Sequence, residues 1–251
     1  MPWKLPQHDH ERFARNPIAL TIAQLRFHPV LSVRERLPTF QDRVRRRFPD
    51  FKERKAKEFK IEVAGLQIAE HDQFLFLADG GAVALTLGPG SLAIENRTHE
   101  HHEAFAEDFK VGLDALLSTF EAVSATRFGL RYVNSISRAR ISADLGRDVG
   151  WEGLVKDGFL RLPGDLAGLE GTRFASEASA ELERGAMTIR HGIVSEAADD
   201  LVFRLDVDRY IEQSEFDATR SIELIPAFAS DIYSVFISAA GEELLEWMRQ
   251  A

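Results

Sequence analysis

Cysteine is absent from the 251-residue chain, which excludes disulfides, thiolate metal sites and cysteine nucleophiles, and places no demand on an oxidising compartment. No apolar run approaches the roughly 18 residues of a membrane helix, and Met1–Arg15 is polar and mixed in charge, without a signal-peptide core. Gly-rich phosphate signatures are missing too: neither GxGxxG nor GxxxxGK[ST] occurs, and there is no GxSxG elbow. Basic charge is the minority, 31 residues against 40 acidic, so the net −9 argues against overall attraction to nucleic acid or anionic lipid. What the chain has in quantity is apolar mass, 45% of its residues including 18 Phe, enough for a buried core. These features predict a cytoplasmic protein with no membrane partner and no cofactor.

Periodicity gives the elements. Residues 1–16 read as a loose N-terminal arm, and 17–251 as a single α+β domain built from two halves, 17–123 and 124–251. Ile18, Leu20 and Ile22 alternate with smaller residues, predicting a strand to Phe27. A helix is expected to open near Pro38, carry Phe40, Val44 and Phe48 on one stripe, and close at Pro49. Strands follow at Phe59–Ala64, Phe74–Ala78, Ala82–Leu87 and Ser91–Asn96, with Asp79-Gly80-Gly81 as a tight turn. A long helix capped by Thr98 runs to Phe120 with Phe105, Phe109, Leu113 and Leu116 on one face. The second half echoes this: a strand at Thr126–Ile136, a short helix at Trp151–Val155, and a glycine-bearing loop over 158–171. Strands at Arg173–Leu182, Ala186–Val194 and Leu201–Val207, a helix over Glu215–Phe236, and a last helix capped by Ser238 complete it. The fold expected is two similar β-α-β-sheet-α halves sharing an antiparallel sheet, with long helices on one face.

Two segments carry a resemblance. The strand Thr126-Arg127-Phe128-Gly129-Leu130-Arg131-Tyr132-Val133-Asn134-Ser135-Ile136 and the later Leu205-Asp206-Val207-Asp208 resemble the T-R-x-G-L-R-Y-x-N and L-D-x-D strands of a sporadically distributed, functionally uncharacterised prokaryotic family of about this length. Weaker matches at Asn16-Pro17-Ile18, Pro38-Thr39-Phe40-Gln41 and Phe48-Pro49 spread the resemblance along the whole chain. His102-Glu103-Ala104-Phe105 departs from it, where the family usually has a tryptophan. The resemblance implies the fold more than a function, and its patchy distribution suits an accessory gene of a defence or mobile-element module.

Four groups are candidates for chemistry. Asp206 and Asp208 share one strand face and can grip a divalent cation as a hydrolase or nuclease would, or pair with arginines of a neighbouring strand. His99, His102 and Glu103 would fall on one helix face at metal-ligand spacing if the helix includes residue 99. Arg127 and Arg131 share a strand face and suit an anion or a partner's carboxylate, while an Arg–Asp cross-strand network is the leading structural explanation. Asn134, on the apolar face, needs a hydrogen-bond partner if buried. The segment 43–60 holds nine basic residues against three acidic, with Arg43, Arg46 and Arg47 expected on an exposed helix face suited to nucleic acid or an acidic protein. With no strong catalytic motif, the expected function is a non-enzymatic binding or regulatory component of an intracellular multi-gene module. Its expected partner is another protein of that module, ahead of nucleic acid. A metal-dependent hydrolase or nuclease and a nucleic-acid binder are the alternatives, and the sequence leaves homo-oligomerisation open.

Overall fold

The computed structural model describes residues 2–62, 65–99, 101–121, 123–160, 173–196 and 200–250. The protein is α+β, with a large antiparallel sheet and seven helices among the described residues. The chain divides into two compact units, and neither is a contiguous half: Thr21–Leu130 with Ile211–Pro226 form one, and Met1–Leu20, Arg131–Tyr210 and Ala227–Ala251 form the other.

In the first unit, β1 (Ile18–Phe27) enters, α1 (Val33–Val44) follows, and then come β2 (Asp50–Glu62), β3 (Gly65–Ala78), β4 (Val83–Gly88) and β5 (Ser91–Asn96). Neighbours run β2-β3-β4-β5-β1 with antiparallel pairing, Leu25 opposite Leu92 and Phe76 opposite Leu85. Helix α1 begins five residues before Pro38, because Val33 is buried and extends the Phe40/Val44 stripe by two turns. Pro38 forfeits one main-chain bond inside it. The helix ends at Val44, so Arg45, Arg46 and Arg47 lie beyond it. Strand β2 starts directly after Pro49 rather than at Phe59. It ends the strand order, and the charges of an edge strand hide its alternation. Helix α2 (His102–Thr119) starts after Thr98, whose N–H and hydroxyl both donate to Asn96 Oδ1 at 2.7 and 3.2 Å. It packs closely on β4: a Cβ at Gly112 would lie 2.5 Å from Leu85 Cδ1.

In the second unit, β6 (Ser124–Ser137) is followed by α3 (Arg138–Leu145), α4 (Trp151–Leu154) and α5 (Asp157–Leu160), then β7 (Ser176–Glu181), β8 (Ala186–Ser195), β9 (Leu201–Asp217), α6 (Arg220–Ala239) and α7 (Glu242–Arg249). Strands β6 and β9 run on into the first unit at Leu130 and Ile211. Neighbours are β6-β9-β8-β7. Helix α3 has the Ser137 cap and the left-handed Gly146 of a standard helix, but Ile141 is its one buried residue, too little for an apolar period. Most of the loop expected over 158–171 lies outside the described residues. Asp217 Oδ1 accepts from Thr219 N at 2.9 Å, so β9 ends in an Asx turn and α6 starts at Arg220 instead of Glu215. Ser238 is still inside α6, its hydroxyl donating to Ser234 O at 2.7 Å, and Gly241 precedes α7.

The N-terminal arm is packed, in contrast to the loose segment expected. Trp3 N donates to Glu181 O at 2.9 Å, and His8 Nε2 meets Ser238 Oγ at 3.3 Å. The His10 ring stacks on Tyr233 at 4.4 Å, Glu11 pairs with Arg249, and Arg15 pairs with Asp144. Helix α6 is the one helix, among the described residues, long and apolar enough by composition to cross a membrane; its Ile225, Phe228, Ile232 and Val235 are buried in protein.

Candidate functional site

Strands β6, β9, β8 and β7 present one face to the helices and leave the other polar. On β6 Phe128, Leu130, Tyr132, Asn134 and Ile136 are buried, the face expected from alternation, and Ala125 and Gly129 are buried on the other parity. Asn134 finds its partner, Nδ2 donating to Leu205 O at 3.3 Å.

The opposite face carries a row of alternating charge. Register places Glu177 of β7 opposite Arg190 of β8, and Arg190 opposite Asp206 of β9. From β6, Arg131 donates through Nε to Asp206 Oδ1 at 2.7 Å and through Nη2 to Oδ2 at 2.5 Å. Arg190 Nη1 lies 3.9 Å from the same carboxylate, and its Nε donates to Glu177 Oε2 at 2.5 Å. The Asp206 side chain is only 7% exposed, whereas Arg131 and Arg190 keep 40% and 43%, so a buried anion is roofed by two part-exposed guanidiniums. Hydrogen bonding to Asp206, helped by that charge and by Asp208, raises the Arg131 pKa above its ordinary value against the opposing effect of burial. A second polar cluster adjoins in the same unit. Arg204 Nη2 donates to Glu196 Oε1 at 2.7 Å and Ser135 Oγ donates to the same oxygen at 2.9 Å; the Arg204 bond holds Glu196 below the usual carboxylate range.

The candidate residues therefore separate. Arg131 and Asp206 meet; Asp208 shares Asp206's strand face, opposite Thr188. Arg127 is half-buried in the first unit. His99 precedes α2 and is buried with its ring 5.9 Å from Phe105, so the helical spacing with His102 does not arise. Burial, with the neighbouring His102 and His101, lowers the His99 pKa to about 4. His102 sits at the helix start beside Glu103, 3.6 Å away. Among the described residues no group of three or more His, Asp or Glu is arranged to hold a metal.

The basic segment also divides. Arg43 and Arg46 are exposed. Arg47, beyond the end of α1, is tied bidentately to Asp108 (2.5 and 2.7 Å) and to Asp79 (2.8 and 3.2 Å), which raises its pKa and lowers that of Asp79. It fastens α2 to the β3–β4 turn and is not part of a free helix face.

Besides Arg190 and Glu177, which sequence reasoning did not single out, a buried cation escaped it. Arg209 of β9 is 5% exposed, donating to Asp231 Oδ2 (2.8 Å) and to the carbonyls of Tyr210, Ala186 and Arg184. Its signal was the alternation itself: after Leu205 and Val207, position 209 falls on the buried face. A scan of the chain against protein-family models gives no match, and a search of curated proteins finds none either.

Proposed function

We propose that the chain is a non-enzymatic binding component of an intracellular multi-protein module, meeting a protein partner on the polar face of β6, β9, β8 and β7. The observation that carries this reading is the row Arg131–Asp206–Arg190–Glu177. Asp206 fixes the orientation of Arg131 and draws Arg190 in, while both arginines keep donors toward solvent. Arginine held in place by its own protein loses little freedom on docking, and such residues are over-represented where interfaces concentrate their energy. The same geometry weighs against Asp206 as a metal ligand in a hydrolase, since both its oxygens already accept from Arg131. Placement in a cytoplasmic defence or mobile-element module belongs to this proposal.

The test is affinity capture of the tagged protein from its native host at low and high salt, identifying both bound protein and bound nucleic acid. A stoichiometric protein that survives high salt and is lost on Arg131→Ala/Arg190→Ala supports the reading. Capture of nucleic acid alone, with steep loss on raising salt, would replace it with the nucleic-acid alternative.

A further inference from the structure

The alternating row ends at the edge of the sheet on an anion. From β6 outward the charges read Arg131, Asp206, Arg190, Glu177, and β7 is the terminal strand of the order. The side chains of β7 are almost all exposed. Its outward main-chain groups follow from register: Leu182 N donates back to Gly185 O, so Ser176, Ala178 and Ala180 face β8, and Glu177, Ser179 and Glu181 point away from it. That outer edge already accepts one main-chain donor from the N-terminal arm, where Trp3 N donates to Glu181 O at 2.9 Å. Among the described residues no other main-chain bond reaches it.

On the helix side of the same edge lies an open apolar cavity of about 410 Å³, lined by Trp3, Ala178, Ala180, Glu181 and Ile189. Trp3, one of the lining residues, is 48% exposed. The edge thus offers three things to one ligand: main-chain donors and acceptors that, Trp3 apart, no described residue pairs, anionic side chains on the open face at Glu177 and Glu181, and an apolar recess on the other face.

We infer that β7 is a strand-addition site, and that its ligand is an extended segment of a partner protein in which basic and large apolar residues alternate. Added beside β7, such a segment places its basic side chains against Glu177 and Glu181, carrying the alternation of charge one strand further. Its apolar side chains turn to the other face and enter the recess beside Trp3. The inference rests on the binding-component reading and names the partner's chemistry.

The probe is a labelled synthetic peptide of about seven residues alternating lysine with valine or leucine, the length of an ordinary strand. Its controls are the same peptide with glutamate for lysine and one with alternate amides N-methylated; binding is followed by fluorescence anisotropy. Two variants test the site. Glu177→Lys reverses the last charge of the row, and Ser179→Pro removes an outward N–H while leaving the β7–β8 ladder its donors. Circular dichroism melts verify that both fold. The lysine peptide is expected to bind, both control peptides to fail, and each variant to bind about tenfold more weakly, the effect of losing one charge pair or one main-chain bond with its geometry. Absence of binding, equal binding of the acidic peptide, or unchanged affinity in both variants would overturn the edge site. The host-capture experiment separates the two claims: a partner kept by both variants removes the edge site and leaves the binding reading standing, whereas capture of no protein removes the binding reading itself.

Discussion

The guanidinium carbon of Arg209 lies 4.5 Å from the centroid of the Phe228 ring, on the buried face of β9. The cation is held there by Asp231 and by the carbonyls of Arg184, Ala186 and Tyr210, so one side chain gathers the β7–β8 turn, β9 and α6. Removing it leaves three main-chain carbonyls and a part-exposed carboxylate without this donor. Arg209→Ala is expected to lower stability by about 1–3 kcal/mol, the cost of leaving hydrogen-bonding groups without their partner, since the remaining Asp231 carboxylate is 32% exposed. Arg209→Lys should recover only part of it, since an ammonium cannot serve the same fork of acceptors. Urea unfolding of the three proteins measures this; a lysine variant as stable as wild type would show that charge alone suffices.

Asp206 invites a different expectation, because its arginines are part-exposed. Asp206→Asn removes the anion between Arg131 and Arg190, and Arg131→Met removes the main donor. A double-mutant cycle should give a coupling of about 1–3 kcal/mol, with the double variant less damaged than the sum of the singles. Additive losses would mean that the bidentate contact does not contribute to stability.

What could be read in advance tracks how evenly burial is imposed. Strand β6 is covered on one face from Phe128 to Ile136, so alternation puts Phe128, Leu130, Tyr132 and Ile136 in the core and demands a partner for Asn134. Strand β5 is bounded by Gly88-Pro89-Gly90 before it and Arg97-Thr98 after it, and its limits follow from those residues. Among the described residues strand β2 has a neighbour on one side only, and its run of Lys, Arg and Glu carries no period to detect. The arm is illegible for another reason: it adopts neither helix nor strand, and its anchors, such as His10 on Tyr233 and Arg15 on Asp144, pair residues more than a hundred positions apart. The charged row was half visible. Strand parity placed Arg131 and Asp206 each on a polar face, but Arg190 and Glu177 join them only through cross-strand register.

Arg46 and Arg47 are adjacent in sequence and opposite in role. Arg47 binds Asp108 and Asp79, whereas Arg46 is exposed. Arg47→Glu sets a carboxylate against two others and is expected to lower the melting temperature by several degrees, the shift expected for about 1–2 kcal/mol. Arg46→Glu should leave melting unchanged within about 0.5 kcal/mol. Thermal unfolding of both variants decides this; equal effects would return Arg47 to the surface patch.

His99 ties stability to pH in the first unit. Burial, then the charges of His102 and His101, brings its pKa to about 4 in the folded protein, below the ordinary value near 6.5. The unfolded chain therefore binds a proton that the folded one refuses between those values. The contribution is complete above about pH 6.5 and is lost as pH falls toward 4, with an upper bound of about 3 kcal/mol. Carboxylates such as Asp79 and Asp72, held low by Arg47 and Arg34, lose their own contributions in acid, so wild type alone does not isolate the histidine. The comparison that does is His99→Leu, which cannot titrate in the same apolar site. Chemical denaturation at steps from pH 7.5 to 4.5 should give a shallower decline for the variant than for wild type. Parallel curves would mean that His99 takes up its proton without unfolding the pocket around Phe105.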